Sequence, residues 1–373
     1  MLMVKKMYNN AMEVLKKINT NGYESYVVGG FVRDRLLGIK STDIDICTNA
    51  TPQQLSNIFK GAIAPSETYG AVTLIYKNIR YEITTYRKEI KYDDHRRPSK
   101  IEYIDNLLED LKRRDFTINT FCMDSNGKTI DLLDAKDDLD NKIIKTVGNP
   151  KYRLKEDVLR ILRAIRFATS LNFDINPDVK KAIKKNSKLL KNLSYTRKKD
   201  ELTKIFTSAN ASYGISLLIE LKLGKPLELS NLTKLKVVDD ILGIWAQLDV
   251  LKIYPFTKVE REAIEKIEEI LKMQTIDDHV LYQYGLYITS VAASIMGMDK
   301  GSINKKYNKL PIKGRSEIAF DIKKICKKLN LSEGKWIKDV YLLLEKNIID
   351  GTLKNNEESI EKFITTYLSE KSK

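Results

Sequence analysis

Two adjacent glycines, Gly29 and Gly30, followed closely by Asp43-Ile44-Asp45, constrain this chain more than any other feature. The glycine pair separates a short apolar run at 26–28, which reads as a strand, from a helical pattern at 31–37. Glycines at such a turn let backbone N–H groups approach a triphosphate, and a helix start favours negative charge. Asp43 and Asp45 alternate with Ile44 as in a half-buried strand, so both carboxylates point to one face. That pair suits two Mg²⁺ ions about 3.5–4 Å apart, which would activate an attacking hydroxyl and steady a leaving pyrophosphate. Alone, a D-x-D is ordinarily a solvated strand end. A Gly-Gly turn, a helix and a later β-hairpin in this order favour the metal site. Glu82, on the run 80–87, has the parity to complete the carboxylate set.

The first 150 residues mix strand and helix signals. An amphipathic segment spans 4–18, and Thr51-Pro52 reads as an N-cap with proline at the first helical position of 53–60. Two β-type runs, 71–76 and 80–87, are joined by a turn-like Lys77-Asn78. The polar stretch 88–100, KEIKYDDHRRPSK, reads as a mobile loop. From Asn149 onward the pattern is helical with repeated Lys-rich faces, which places a boundary near Pro150.

Charge narrows the partners. Lys plus Arg total 65 against 50 Asp plus Glu, a net +15 that argues for a polyanion, either nucleic acid or an anionic membrane surface. The start lacks a signal-peptide apolar region, and the uncharged stretch 280–298 carries Tyr282, Gln283, Tyr284, Thr289 and Ser290. It reads as a buried core helix, and the expected location is cytoplasmic, with no membrane role. Cys47, Cys122 and Cys326 are far apart, and there are 2 histidines, so zinc ribbons and His-cluster chemistry are not supported.

Two further constellations carry chemistry. In RRDFTIN, Asp115 and Asn119 are spaced to share a helix face and meet one ligand, such as ribose hydroxyls, while Arg114 suits a phosphate. An N-capping Asp with surface arginines is the bland alternative. In EDVLR, Asp157 and Arg160 are three apart on a predicted helix that continues to Arg163 and Arg166. An intrahelical ion pair is the default there. The sharper reading is that Asp offers acceptors and Arg donors, which matches the amino donor and ring-nitrogen acceptor of C and A and opposes G and U. Arg33 with Asp34 reads as a surface pair as readily as not; otherwise a salt bridge holding the Gly-Gly turn and a substrate contact stand equal.

Together, VVGGFVRDRLLG, DIDICTNATP, YEITTYR, DDHRRPSKIEYI, LEDLKRRDFTIN and LKEDVLRILRAIRF resemble the class II tRNA nucleotidyltransferases, bacterial-type CCA-adding enzymes of the DNA polymerase beta-like superfamily. A weaker match in LPIKGRSEI and GKWIKDVYLLLEKNIIDGTLKNN extends it into the tail. The resemblance implies an α+β fold: a polymerase-beta-like head with a mixed sheet, then an elongated all-helical neck, body and tail. The implied divisions are 1–150 (catalytic head), 151–205 (neck), 206–305 (body) and 306–373 (tail). It implies that Asp43 and Asp45, with Glu82 less directly, hold Mg²⁺. Gly29, Gly30, Arg33, Arg114, Asp115, Asn119, Asp157, Arg160, Arg163 and Arg166 would bind the nucleotide, with Asp157 and Arg160 as the amino-acid template. Departures are Ala71 where Thr is frequent, Thr120-Phe121-Cys122 after RRDFTIN, and a missing glycine in the tail motif.

The function expected is therefore template-independent addition of CCA to tRNA 3′ ends from CTP and ATP, releasing pyrophosphate. The partners expected are the tRNA acceptor arm and 3′ end, with no obligate protein partner. An intact stretch at 88–100 favours full CCA addition, as the resemblance implies; A-only or CC-only relatives and bacterial poly(A) polymerase are the alternatives.

Overall fold

The computed structural model describes residues 2–371 except 42, 62, 67–69, 94–96, 329–331 and 333. The chain divides into two compact units, Met1–Leu229 and Ser230–Lys373.

The first unit opens with α1 (Leu2–Thr20), whose Ala11, Val14, Leu15 and Ile18 recur at helical spacing and are fully buried. Next come β1 (Ser25–Val28), α2 (Gly30–Leu36) and β2 (Asp45–Thr48). Helix α3 (Pro52–Ile58) starts as expected, with a Thr51–Gln54 capping box and proline in its first turn. Strands β3 (Ile63–Ser66), β4 (Ala71–Tyr76) and β5 (Ile79–Thr85) follow. Lys77 and Asn78 both take positive φ, 47° and 64°, the conformation a two-residue hairpin turn needs to follow the twist of its strands.

The polar stretch 88–100 is not a loop in its described part. Strands β6 (Arg87–Asp93) and β7 (Arg97–Tyr103) pair antiparallel from Arg87↔Tyr103 outward. Its composition lacks strand alternation because the pairing is imposed from the base. Ile104 N–H bonds the carbonyl of buried Tyr86 (3.1 Å), bringing the two ends together. Residues 94–96 of this expected loop lie outside the described residues.

After α4 (Leu107–Lys112), strands β8 (Cys122–Met123) and β9 (Thr129–Ile130) complete a mixed sheet ordered β3-β4-β5-β2-β1-β8-β9. Only β2 and β5 run parallel in it, with Asp45 opposite Glu82 and Ile46 opposite Ile83. One face packs on Val28, Cys47, Tyr86, Leu107, Leu111 and Cys122.

Helix α5 (Lys136–Asp140) and β10 (Ile143–Ile144) lead to α6 (Pro150–Glu156), capped by the Asn149 side chain. Beyond this point the regular structure of the described residues is helical apart from β11 (Asp174–Ile175), which follows α7 (Leu159–Leu171) and pairs parallel with β10. Helices α8 (Pro177–Asn186), α9 (Tyr195–Phe206), α10 (Ala211–Glu220) and α11 (Gly224–Leu227) finish the unit. A mixed-sheet head followed by a helical region is thus the observed order.

The second unit holds α12 (Ile241–Trp245), α13 (Lys258–Met273), α14 (Asp278–Met296), α15 (Lys300–Lys309), α16 (Ile322–Lys328), α17 (Trp336–Ile349) and α18 (Glu357–Lys371). The uncharged stretch forms α14, which buries Leu281, Ile288, Val291 and Ala292 against its neighbours and is interrupted at Gly285 (φ 74°). No helix among the described residues is long and apolar enough to cross a membrane.

Candidate nucleotide-binding active site

Twelve of the thirteen residues singled out in the sequence line one cleft of about 500 Å³ in the first unit. Its floor is the β1–α2 turn. Gly29 takes φ 79°, a conformation that glycine adopts without strain, and its N–H bonds the Phe121 carbonyl (3.1 Å). A Cβ built on Gly29 would lie 3.6 Å from Arg114 Nη1, so the arginine packs against bare backbone.

At one end stand Asp43 and Asp45, both exposed to the cleft. Strand β2 begins at Asp45, one turn of the pleat later than expected, yet both side chains reach the same space. Among the described residues neither has an ion-pair or hydrogen-bond partner, and nor does Glu82. The Asp45 carboxyl is pushed up to about 6 by desolvation and then by Asp43 and Glu82, with Arg114 opposing. Carboxylate oxygens left without a partner among the described residues fit a hard divalent cation. Glu82 is Asp45's neighbour in register but does not line the cleft, and no group of three acidic, His or Cys side chains converges among the described residues. The pair, not a trio, is what the fold brings together.

At the other end the arginines are each held. Arg33 is 7% exposed, which rules out a surface pair. It salt-bridges Asp34 (2.6 Å) and donates through Nη1 to Asn119 Oδ1 (2.6 Å). Asn119 ends a short 3₁₀ turn, Thr117–Asn119, and Asp115 precedes that turn, so they do not share a helix face. They meet nonetheless, Asn119 Nδ2 donating to Asp115 Oδ1 (3.1 Å). Arg163 donates to Asp115 Oδ2 from Nε (2.7 Å), with Nη2 at 2.5 Å. Burial opposes charge on Asp115, but Arg163, Asn119 and the Phe116 N–H hold its carboxyl well below the usual carboxylate range. Arg166 donates through Nε to Glu201 Oε2 on α9 (2.6 Å).

The predicted helix face carrying Asp157 and Arg160 is broken. Helix α6 ends at Glu156, Asp157 is extended (φ −132°, ψ 103°), and α7 starts at Leu159. An extended residue lets the Asp157 carboxylate accept the Leu159 N–H (3.0 Å), which a continuous helix would not. Both residues still line the cleft. Burial pushes the Asp157 carboxyl up, with Arg160 the strongest opposing charge.

This geometry coincides with what comparison with known proteins finds. Residues 25–145 match the poly A polymerase head domain, 172–231 the "Probable RNA and SrmB-binding site of polymerase A", and 245–364 domain 2 of the tRNA nucleotidyltransferases. The chain is 34% identical to the CCA-adding enzyme of Ligilactobacillus salivarius (strain UCC118), over 98% of each. It belongs to the class II CCA-adding enzymes. The crystal structure of the Bacillus stearothermophilus CCA-adding enzyme in complex with CTP matches with a TM-score of 0.84 at 27% identity, covering 98% of each chain. The Thermotoga maritima CCA-adding enzyme complexed with tRNA shares the fold (TM-score 0.69, 22% identity, 96% and 95% covered). As a member of this polymerase-beta-like family, the chain is a nucleotidyltransferase.

Several residues of this CCA-adding fold were not visible in the sequence. Asp110, with a side chain fully buried, accepts from Arg113 Nε (2.8 Å), Arg114 Nη2 (3.3 Å) and the Arg87 N–H (3.2 Å), fastening the arginines to the base of the ribbon. Phe167 sits among the guanidiniums of Arg33, Arg163 and Arg166, whose central carbons lie 5.2, 5.4 and 4.1 Å from its ring centre. Glu201 is far along the chain. The position of Phe167 beside Arg163 and Arg166 at helical spacing was the one available hint.

Proposed function

We propose that this chain adds C, C and A to the 3′ end of tRNA from CTP and ATP, releasing pyrophosphate. The observation that carries this reading is a single cleft bounded by Asp43 and Asp45, without partners among the described residues, and by an acceptor and a donor, Asp157 and Arg160. The likeness to a CTP-bound relative supports the nucleotide, and the family supports the acceptor. In this reading residues 1–150 perform the chemistry, 151–205 select the nucleotide, and 206–305 and 306–373 hold the tRNA.

The tRNA 3′-hydroxyl oxygen forms a bond to the α-phosphorus as the bond to pyrophosphate breaks. Asp43 and Asp45 would hold Mg²⁺, which would supply activation of that hydroxyl and charge neutralisation on the leaving group. Arg33, Arg163 and Arg166 receive the triphosphate, already oriented by Asp34, Asp115 and Glu201, so little side-chain entropy is lost when it binds. Gly29 and Gly30 let it approach the backbone. Asp115 and Asn119 spend their polar atoms on Arg163 and Arg33, which supports an orienting role over direct ribose contact. Asp157 accepts from the exocyclic amine of C or A, and Arg160 donates to the adjacent ring nitrogen. Guanine and uracil reverse that polarity, so the base edge sets donor against donor at Arg160 and acceptor against acceptor at Asp157, which costs about 1–3 kcal/mol for each buried polar group left unmatched.

The test uses tRNA transcripts ending before CCA, after C and after CC, with Mg²⁺ and each nucleotide alone or CTP with ATP. Ordered addition of C, C and A followed by a stop is expected. Addition of A alone to the CC-ended transcript, or of CC alone to the first, would make it a split-activity relative. Long A-tails would make it a poly(A) polymerase.

A further inference from the structure

Arg153, in α6, belongs to none of the motifs read from the sequence, yet it touches both halves of the cleft. Its Nη2 donates to two successive carbonyls of the segment that carries Asp115, Arg113 O at 2.5 Å and Arg114 O at 2.9 Å. Its Nη1 donates to Glu156 Oε2 at 2.7 Å. Its own carbonyl accepts Arg160 Nη1 at 3.0 Å and the Asp157 N–H at 3.5 Å. Arg160 Nη2 reaches the same Arg113 carbonyl at 3.3 Å, and its Nη1 lies 3.5 Å from Glu156 Oε2.

Arg153 is therefore the shared node of two frameworks. One is the Arg113–Asp115 backbone, which orients the phosphate arginines. The other is the break between α6 and α7, where Asp157 and Arg160 stand. We infer that Arg153 is a positioning residue for nucleotide selection: it sets the spacing and tilt of the Asp157–Arg160 pair relative to the triphosphate end of the cleft. This inference rests on the base-reading role proposed above. The physical argument is geometric. Base discrimination through two polar contacts needs both atoms held to about 0.5 Å, and a guanidinium fork fixes two carbonyls and a carboxylate at once. A lysine keeps the charge but offers a point donor on a flexible stem. Its single nitrogen cannot stand where both Nη1 and Nη2 do, so it keeps either the carbonyl pair or the Glu156 brace and loses the rigid link between them.

The test compares full-length wild type, Arg153→Lys and Glu156→Gln on a transcript lacking CCA, for CTP against UTP, and on a CC-ended transcript, for ATP against UTP. It measures kcat and KM for CTP, ATP and UTP separately, tRNA affinity by filter binding, and melting temperature. Wild type must first select C and A over U; if it does not, the base-reading role itself fails and this inference with it. With selection established, R153K should raise the UTP-to-CTP ratio of kcat/KM about tenfold or more. It should act mainly through KM for the correct nucleotides, with tRNA affinity unchanged. E156Q, which leaves the fork on the two carbonyls but weakens the brace, should shift the ratio the same way by less. It also keeps the question open to measurement should R153K fail to fold. An unchanged ratio in a folded R153K, or an equal fall in kcat for all three nucleotides, would overturn the inference and leave Arg153 a scaffold residue.

Discussion

At one end of the cleft Asp43 and Asp45 have no ion-pair partner among the described residues, whereas at the other Arg33, Arg163 and Arg166 are each fastened to a carboxylate. The contrast separates two ways of using charge. The acidic end is left in tension, with burial and then the charges of Asp43 and Glu82 raising Asp45, so a cation that enters relieves both. The basic end is relaxed and preorganised. Its guanidiniums have lost their freedom before any triphosphate arrives.

The largest break in this comparison comes from Asp43→Ala or Asp45→Ala. Turnover should fall by roughly a thousandfold or more, because charge stabilisation in the transition state is lost. Filter binding should show tRNA affinity little changed; a parallel loss of both would mean the acidic end is structural. Asp115→Asn releases Arg163 while keeping the shape of the side chain. Removing one member of a buried charged pair costs about 2–5 kcal/mol, so kcat/KM should drop about a hundredfold, with the effect concentrated in nucleotide KM.

Phe167→Leu tests whether the ring matters to the arginines around it. Cation–π contacts contribute about 0.5–2 kcal/mol, so a threefold to tenfold rise in nucleotide KM is expected in steady-state assays. No change would show that the carboxylates alone hold the basic end.

The smallest effect sharpens the comparison from outside the cleft. Lys198, on the same helix as Glu201, is fully buried with no hydrogen-bond partner for its ammonium among the described residues, and that ammonium lies 4.3 Å over the Tyr195 ring. Desolvation lowers its titration below the usual lysine value. The unfolded chain then binds this proton more tightly, so stability from this group is reduced at neutral pH and recovers as pH rises toward about 10.5. Lys198→Met should raise the melting temperature by a few degrees at pH 7 and flatten that rise; calorimetry at pH 7 and 9 reads both. An anchored cation is an asset here, and an unanchored one a liability.

What could be read in the sequence was what depends on near neighbours. The Thr51-Pro52 start, the Lys77-Asn78 turn and the Gly29-Gly30 turn each follow from local chemistry, and each is present. The β6–β7 ribbon was illegible because its pairing is dictated by Tyr86 and Ile104 at its ends, not by its own alternation. Asp157 and Arg160 both line the cleft, but they were read on one continuous helix, since no glycine or proline marks the break after Glu156. Asp110, Arg153, Phe167 and Glu201 were missed for one reason. Their partners are set by tertiary packing, and in a single sequence an anchoring Asp or Arg looks like any other charged residue.

The parallel pairing of β10 with β11 has a consequence for how the molecule is made. It links 143–144 to 174–175 across α6 and α7, so the stretch bearing Asp157, Arg160 and Arg163 is a loop whose two ends are sewn together. Such a closure, over about 30 residues, is entropically cheap and can form as soon as its second end leaves the ribosome. Glu201 follows later still, and until it docks on Arg166 the cleft has one arginine unmoored. A nascent head can therefore acquire its sheet well before it acquires a working nucleotide site.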